Sequence, residues 1–330
     1  MTELFGGIYA RGDVAAAVSD AAWVQALLDV EAAMGGPSLQ VSDIDIGALG
    51  RAAAEHASPV VPLAERFAGT HDGATSQDVM DTAMMLVSAR ALEMLLVDAR
   101  GAAAAAAALA RAHRDTAVMG RTLLQDAVPT SLGLRFAGWA AGLEDALAAL
   151  AGVSLCVQMG GPVGHRDPAF AAQVAAALGL EDPGIPWHTD RGRVVVLASA
   201  LGRLAGACGK AARDVTLMGH EVREGVPGRG ASSAMAHKRN PVAAVSVLAC
   251  SRRTPGLVGT LFAAMEGELE RAAGAWQAEW GTLTDLWRLT GSAAAWARDM
   301  LEHLEVIAEP LEGADLGASG QLIDRALGDL

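Results

Sequence analysis

The chain of 330 residues is poor in cysteine and in aromatic residues, and both shortages exclude classes of protein. Its three cysteines, Cys156, Cys208 and Cys250, are odd in number and far apart, so they match neither a disulfide framework nor a metal-site spacing. We therefore expect free thiols in a reducing cytoplasm and no bound metal. Aromatic residues make up only 4% of the chain and β-branched runs are scarce, which argues against an all-β fold.

Positive charge is also in deficit, and the net charge of −13 argues against nucleic acid as a partner, because phosphate binding requires a basic surface. A small anionic substrate is compatible with this charge, since a few basic groups in a cleft can bind an anion. Residues 1–5 have no basic segment, and no long apolar stretch follows, so we expect no secretory signal. The longest uncharged run, 146–164, consists mostly of small residues and ends in glycines and a proline, which favours a buried helix over a membrane span.

Alanine, the strongest helix former, is abundant, and the apolar pattern is helical almost throughout. Ser76 is typical of a helix N-cap, and nothing forces a stop before about His113, which gives a helix of about 57 Å. We predict further long helices over 14–34, 131–158, 191–222, 241–271 with a bend near Pro255, and 276–306. The sequence therefore predicts an all-α fold, an elongated bundle of long helices that associates with other copies to bury its outer faces.

Three polar stretches lie at predicted loops and helix starts. The first polar stretch, 71–78 (HDGATSQD), places two hydroxyls at a helix N-terminus, where backbone N–H groups favour a carboxylate. The second, 120–130 (GRTLLQDAVPT), is predicted as a polar loop between helices. The third, 231–241 (ASSAMAHKRNP), follows a glycine-rich run and is typical of a mobile loop that closes on an anionic substrate. Each stretch alone is also compatible with an ordinary capped helix start or a solvated loop.

Together and in this order, the three stretches resemble the three conserved regions of the fumarase/aspartase superfamily, and residues 232–241 resemble its signature loop. Within it, residues 74–78, 186–189 and 270–280 most resemble the 3-carboxy-cis,cis-muconate cycloisomerases. The resemblance covers roughly residues 4–306 and implies a homotetramer around a central helical core, with each active site built from stretches of different subunits. We expect an N-terminal helical domain over 1–75, a central long-helix bundle over 76–308, and a short C-terminal tail over 309–330.

The reaction that the resemblance implies is the ring closure of a small tricarboxylate, 3-carboxy-cis,cis-muconate, to 4-carboxymuconolactone, with no metal or organic cofactor. A substrate carboxylate adds across a conjugated double bond, and the carbon next to another carboxylate gains a proton. Ser232 aligns with the loop serine that moves this proton, and Ser233 is the alternative if the register differs by one. Catalysis is expected to involve Lys238 as well. The expected substrate-binding residues are His71, Thr75, Ser76, Gln77, Thr122, Gln125, His188, Lys238 and Asn240.

The chain departs from the superfamily's pattern at several positions. Leu123 stands where the lyases usually have a histidine, which counts against an amine or hydroxide leaving group that needs an acid. Ala231 and Ala236 replace a glycine and a proline of the signature loop, and Leu269 replaces a polar residue. Two alternatives therefore stay open: a C–N or C–O lyase that releases a fumarate-like product, and a catalytically silent helical scaffold.

Overall fold

The computed structural model describes residues 3–67, 71, 73–232, 234–235, 238–309 and 311–328, and the fold is mostly helical. Two short 3₁₀ turns, Val41–Asp43 and Glu65–Phe67, accompany the helices. The helices are α1 (Glu3–Tyr9), α2 (Val14–Ala17), α3 (Asp20–Ala33), α4 (Ile46–His56), α5 (Val60–Ala64), α6 (Ser76–Ala112), α7 (Leu132–Ala151), α8 (Pro168–Leu178), α9 (Gly192–Leu217), α10 (Val242–Ser251), α11 (Thr254–Ala263), α12 (Ala275–Glu302) and α13 (Ser319–Leu327). Two antiparallel strand pairs join them: β1 (Ala117–Thr122) with β2 (Gln125–Ser131), and β3 (Val222–Glu224) with β4 (Leu304–Val306).

Three long helices, α6, α9 and α12, run in the same direction through the bundle. Trp276 and Arg298 of α12 are hydrogen-bonded to Asp81 and Asp98 of α6, so residue numbers rise together along the two helices. Arg191, which directly precedes α9, also binds Asp81. The helix α7 and the pair α10–α11 pack between them in the opposite direction. Elements that precede α6, α9 and α12 therefore meet at one end of the molecule.

The alanine-rich half of α6 is a packing surface. Its buried positions hold the smallest side chains: Ala99, Ala102, Ala103, Ala106, Ala107 and Ala110. Small side chains let neighbouring helices approach closely, and at Gly133 of α7 an added Cβ would lie 2.7 Å from the Ala110 carbonyl oxygen. The alanine run is thus part of the core rather than a linker.

Several predicted helix boundaries are confirmed and others are wrong. The helix predicted from Ser76 to about His113 is confirmed as α6, and the predicted bend near Pro255 is the break between α10 and α11. The prediction of one helix over 131–158 is wrong, because α7 ends at Ala151. Residues 153–160 lie outside any helix, and the backbone N–H of Val157 donates to the carbonyl of Glu181. The helices predicted to reach 222, 271 and 306 end at 217, 263 and 302.

The second polar stretch is a β-hairpin, which corrects the prediction of a polar loop between helices, although the fold is mostly helical as predicted. Its two-residue turn is Leu123–Leu124, with φ angles of 51° and 65°. Both angles are in the left-handed region that such turns require and that glycine or asparagine usually occupies. The turn therefore lacks the glycine or asparagine that usually marks a two-residue hairpin turn in a sequence.

Within the described residues, α9 is the helix that is long and apolar enough to cross a membrane by length and composition. It packs against α7, α10, α11 and α12, and 61% of its most apolar window is buried inside the molecule. It is therefore a core helix of the bundle.

Candidate active site

The first polar stretch is organised by Asp78, a fully buried carboxylate in the first turn of α6. Its Oδ2 accepts hydrogen bonds from the backbone N–H groups of Thr75 (3.1 Å) and Gly161 (2.8 Å), and its Oδ1 accepts one from Gly160 (2.9 Å). The first bond fixes the start of α6, because Thr75 is its extended N-cap residue. The other two hold the 160–161 turn against that helix end.

The same carboxylate holds His188 and Gln158. Asp78 Oδ1 lies 2.9 Å from His188 Nε2 and 3.2 Å from the side-chain nitrogen of Gln158. An ionised carboxylate only accepts hydrogen bonds, so His188 Nε2 carries a proton and Nδ1 is the acceptor nitrogen of the neutral ring. Asp78 therefore sets both the tautomer and the orientation of His188, which is buried.

Gln77 is buried beside this cluster. Its side-chain nitrogen donates to Asp81 Oδ2 (3.1 Å) and to the backbone carbonyl of His188 (2.7 Å). The nitrogen that would bind a substrate carboxylate is thus engaged within the chain, and among the described residues nothing is bonded to its buried oxygen. Thr75 and Ser76, by contrast, are half-buried at the helix start.

A buried charge network anchors the segment that carries His188. Arg191 Nη1 lies 2.7 Å from Asp81 Oδ2, and Arg191 Nε lies 2.9 Å from Glu279 Oε1. Burial alone would lower the pKa of Arg191, but Asp81 and Glu279 outweigh it and raise that pKa above its ordinary value. Trp276 donates to the second oxygen of Asp81. These contacts join the starts of α6, α9 and α12 and so fix the backbone three residues after His188.

His71 has a carboxylate partner of its own. Its Nδ1 lies 2.8 Å from Oε1 of Glu31, a completely buried residue of α3. The hydrogen bond to Glu31 is the main cause that raises the pKa of His71, and burial opposes it. Sequence reasoning missed Glu31, because a single acidic residue in an apolar helix carries no signal of a partner 40 positions away.

The second polar stretch lies at the other end of α6. Thr122 and Gln125 pair across the hairpin, next to its Leu123–Leu124 turn, and both are exposed. The hairpin is held near its turn by Arg121, which donates to the Leu217 carbonyl at 3.2 Å and forms an ion pair with Glu221.

The third polar stretch is a loop closed at its base. The carbonyl oxygen of Gly230 accepts from the backbone N–H of Asn240 (2.8 Å) and from the Asn240 side chain (3.2 Å). Gly230 has a φ of +74°, and an added Cβ would lie 2.1 Å from the Asn240 carbonyl oxygen, so only glycine fits there. Glu224 accepts from the first N–H groups of α10 and fixes the helix that follows the loop.

Inside that loop, the Ser232 hydroxyl oxygen accepts from the backbone N–H groups of Ala234 (3.3 Å) and Met235 (3.1 Å). Two donors aimed at this oxygen favour its deprotonated form over the neutral hydroxyl. Lys238 is exposed on the loop. Ser233 and His237 lie outside the described residues.

One chain does not bring the three stretches together. The first precedes α6 and the second follows it, so the 37-residue helix separates them by about 55 Å. The third polar stretch begins just after Arg229, which binds Asp299 of α12. The neighbouring Arg298 contacts Asp98 of α6, so this stretch begins level with Asp98 along the bundle. That level is about 33 Å from the start of α6. Within the described residues, no group of three or more His, Cys, Asp or Glu side chains could hold a metal ion.

Comparison with known proteins identifies the family. The family model described as Lyase matches residues 62–256. The 3-carboxy-cis,cis-muconate cycloisomerase of Bradyrhizobium diazoefficiens is 39% identical over 98% of this chain and 81% of its own length. The nitrosuccinate lyase of Streptomyces davaonensis is 36% identical over 96% of this chain and 77% of its own length. The chain therefore belongs to the fumarase/aspartase family of lyases, and the resemblance read from the three stretches is confirmed.

A solved structure agrees with this assignment. The crystal structure of the 3-carboxy-cis,cis-muconate lactonizing enzyme from Pseudomonas putida matches with a TM-score of 0.87 and 34% identity. The match covers 99% of this chain and 81% of that one. The long-helix architecture predicted from the sequence is thus that of a fumarase-type lyase.

Proposed function

We propose that this lyase-family enzyme is a cycloisomerase that converts 3-carboxy-cis,cis-muconate to 4-carboxymuconolactone. The observation that carries the proposal is the similarity to such an enzyme along almost the entire chain. The apolar turn Leu123–Leu124 supports it, because this reaction, read in reverse, expels a carboxylate. A carboxylate is a weak base and leaves without a proton, so the second polar stretch needs no acid.

We infer further that the active form is a homotetramer in which each site draws its stretches from different copies. The separations of about 33 and 55 Å within one chain support this. The hairpin supports it as well, because Leu123, Leu124 and Val128 are 94%, 68% and 71% exposed. Apolar side chains clustered at an exposed tip are typical of a surface that another chain covers.

Two groups of residues would bind the carboxylates of the substrate. At the start of α6, the backbone N–H groups of the first turn, the hydroxyls of Thr75 and Ser76 and the ring of His71 favour one carboxylate. In the third stretch, Lys238 and Asn240 would hold another once the loop closes. Fixed donors of this kind also stabilise the extra negative charge that develops on a carboxylate during the reaction.

Ser232 would move the proton at carbon. A carboxylate oxygen of the substrate forms the C–O bond, and the electron pair of the double bond shifts onto the adjacent carboxylate as an enediolate. The enediolate carbon then takes the hydroxyl proton of Ser232. The resulting alkoxide is stabilised by the N–H groups of Ala234 and Met235, and it regains a proton from solvent.

A second candidate is the cleavage of nitrosuccinate, favoured by the 36% identity to an enzyme of that name. Elimination from this substrate would expel nitrite, which is a weak base like a carboxylate. The apolar Leu123 turn is therefore compatible with this reaction too, whereas an amine or hydroxide leaving group would need an acid there.

The test follows loss of the diene absorbance of 3-carboxy-cis,cis-muconate in parallel with nitrite release from nitrosuccinate. We expect diene loss, and we expect Ser232→Ala to reduce kcat by about a hundredfold or more. Ser233→Ala is the companion variant that distinguishes the two serines: we expect it to keep most of kcat, and a loss in Ser233→Ala with retention in Ser232→Ala would assign the proton transfer to Ser233. Lys238→Met should raise KM, and Lys210→Met, at the only other lysine of the chain, should not. Nitrite release without diene loss would establish the second candidate. If a folded tetramer shows neither activity, succinyl-amine substrates are assayed for fumarate release, and only a blank there as well would leave the silent scaffold.

A further inference from the structure

Glu31 is a buried carboxyl group in the core. It lies on the face of α3 that also buries Leu27, Leu28 and Val30, and its side chain is completely inaccessible. Its Oε1 binds His71, and among the described residues nothing is hydrogen-bonded to its buried Oε2. Burying a carboxylate is costly unless a cation or several donors compensate it. An apolar residue would serve the fold better here, so the carboxylate points to a task at His71.

The hydrogen bond fixes the ring of His71. Because the carboxylate accepts, Nδ1 must carry a proton, and Nε2 is left as the nitrogen that a ligand would meet. The ring is about a quarter exposed, and its own backbone carbonyl accepts from Ala74, which places it one turn before α6. It therefore stands beside the helix N-terminus at which Thr75 and Ser76 are half-buried.

The charges around His71 favour its protonated form. The hydrogen bond to Glu31 and the charges of Glu31 and Asp78 raise the pKa of His71, whereas burial and the positive charge of Arg166 lower it. The balance lies above the ordinary value. When both nitrogens are protonated, Nε2–H becomes a charge-assisted donor, which is suited to a carboxylate.

We propose that Glu31 is a positioning residue that holds His71 as an oriented cation for a substrate carboxylate at the first polar stretch. The arrangement differs from that of His188, whose partner Asp78 already accepts four other hydrogen bonds. Among the described residues, Glu31 Oε1 is paired with His71 and nothing is hydrogen-bonded to Oε2, so its charge is directed to one ring. In this proposal His71 donates to the anion.

The first test is independent of any ligand. Selective ¹³C labelling of histidine lets the ring of each histidine be titrated by NMR, and His71 is assigned by the signal lost in His71→Asn. We expect Glu31→Gln, which keeps the size but removes the charge, to move the His71 midpoint to lower pH. Glu55→Gln, an exposed charge change on α4, is the matched control and should leave it in place.

The second test measures binding of tricarballylate, an inert tricarboxylate, by titration calorimetry across pH. It rests on the proposed function only in taking a carboxylate as the ligand. Near neutral pH we expect Glu31→Gln to bind about tenfold more weakly, the effect of one lost charge-assisted hydrogen bond. The decline in affinity at high pH should shift with the NMR midpoint. In a His71→Asn background, Glu31→Gln should have no further effect, because Glu31 acts through His71.

A His71 midpoint that does not move in Glu31→Gln would overturn the proposal, and so would affinity losses that simply add in the double variant. If Glu31→Gln does not fold, Glu31→Asp keeps the charge and withdraws it from the ring, and it should give a smaller shift in the same direction. Wild-type protein that binds no tricarballylate would count against the proposed function instead, while the NMR titration would still decide whether Glu31 controls His71.

Discussion

Replacing Asp78 with asparagine tests whether this carboxylate organises the candidate site. The substitution keeps the shape of the side chain but exchanges one acceptor oxygen for a donor NH₂ group. Oδ2 serves two donors, the N–H groups of Thr75 and Gly161, and Oδ1 serves three, from Gly160, Gln158 and His188. We therefore expect the amide nitrogen of the asparagine to take the place of Oδ2, because two hydrogen bonds are lost there and three would be lost at Oδ1.

The expected cost follows from those two donors. A buried hydrogen bond to a charged group contributes about 1.5–3 kcal/mol, so two of them amount to about 3–6 kcal/mol. The negative charge at the start of α6 is lost as well, which adds a smaller penalty from the helix dipole. Against a total stability of about 5–15 kcal/mol, this is a large fraction.

Urea unfolding followed by circular dichroism, at one fixed protein concentration, measures this loss. The control is Asp182→Asn, because Asp182 is exposed and accepts one N–H bond, from Gly184 at 2.9 Å. We expect the control to lose less than about 1 kcal/mol. The reasoning is refuted if Asp78→Asn is no more destabilising than Asp182→Asn.

Three further predictions concern packing, thiols and pH. In α12, Gly291→Ala should destabilise by about 1–3 kcal/mol in thermal unfolding, because its Cβ would lie 2.5 Å from a valine of α2. A Cβ added at Gly281 in the same helix would have no atom within 4 Å, so Gly281→Ala should stabilise by about 0.5–1 kcal/mol. If both substitutions changed stability in the same direction, the close contact at Gly291 would not explain its effect. Burial raises the pKa of Cys208 to about 12 and that of Cys250 to about 11, so neither should react with Ellman's reagent until the protein unfolds. The pKa of folded His71 is raised above 6.5, mainly by its hydrogen bond to Glu31, so the folded state binds the proton more tightly than the unfolded state. The difference in free energy of unfolding between wild type and His71→Asn should therefore be fully present below about pH 6.5 and decrease as pH rises through the folded pKa. A difference that increases with pH would contradict this prediction.

The long helices were predictable because their signals are local. The apolar periodicity and the absence of any breaker between Ser76 and His113 define α6 almost to the residue. The helix predicted over 131–158 failed at Ala151, because uncharged small residues continue beyond the point at which the chain turns to pair with Glu181. Tertiary pairing decided that boundary, and helix propensity did not.

The hairpin could not be predicted from its turn. Leu123 and Leu124 adopt positive φ angles that leucine rarely takes, so the usual Asn-Gly or Asp-Gly signal is missing. The β-branched residues Val118 and Thr122 in one strand and Val128 in the other were the available signal, and it is weak in strands of six and seven residues.

The stretches of the candidate site were visible in the sequence, but the partners of their residues were not. Hydroxyls and basic residues beside a helix start have a local pattern, and the pattern led to Thr75 and Lys238. Glu31 and Asp78 act through hydrogen bonds that span 40 to 110 positions. Such pairs become evident only once the helices are packed.

The length of α6 has a genetic consequence. If each site combines stretches that this helix holds about 55 Å apart, a chain defective at Ser76 and a chain defective at the hairpin carry lesions that need not meet in the same site. Co-expression of two such inactive alleles would then yield mixed assemblies in which some sites contain only intact parts. Activity recovered on co-expression would show by genetic complementation that the two ends of the helix contribute to different sites.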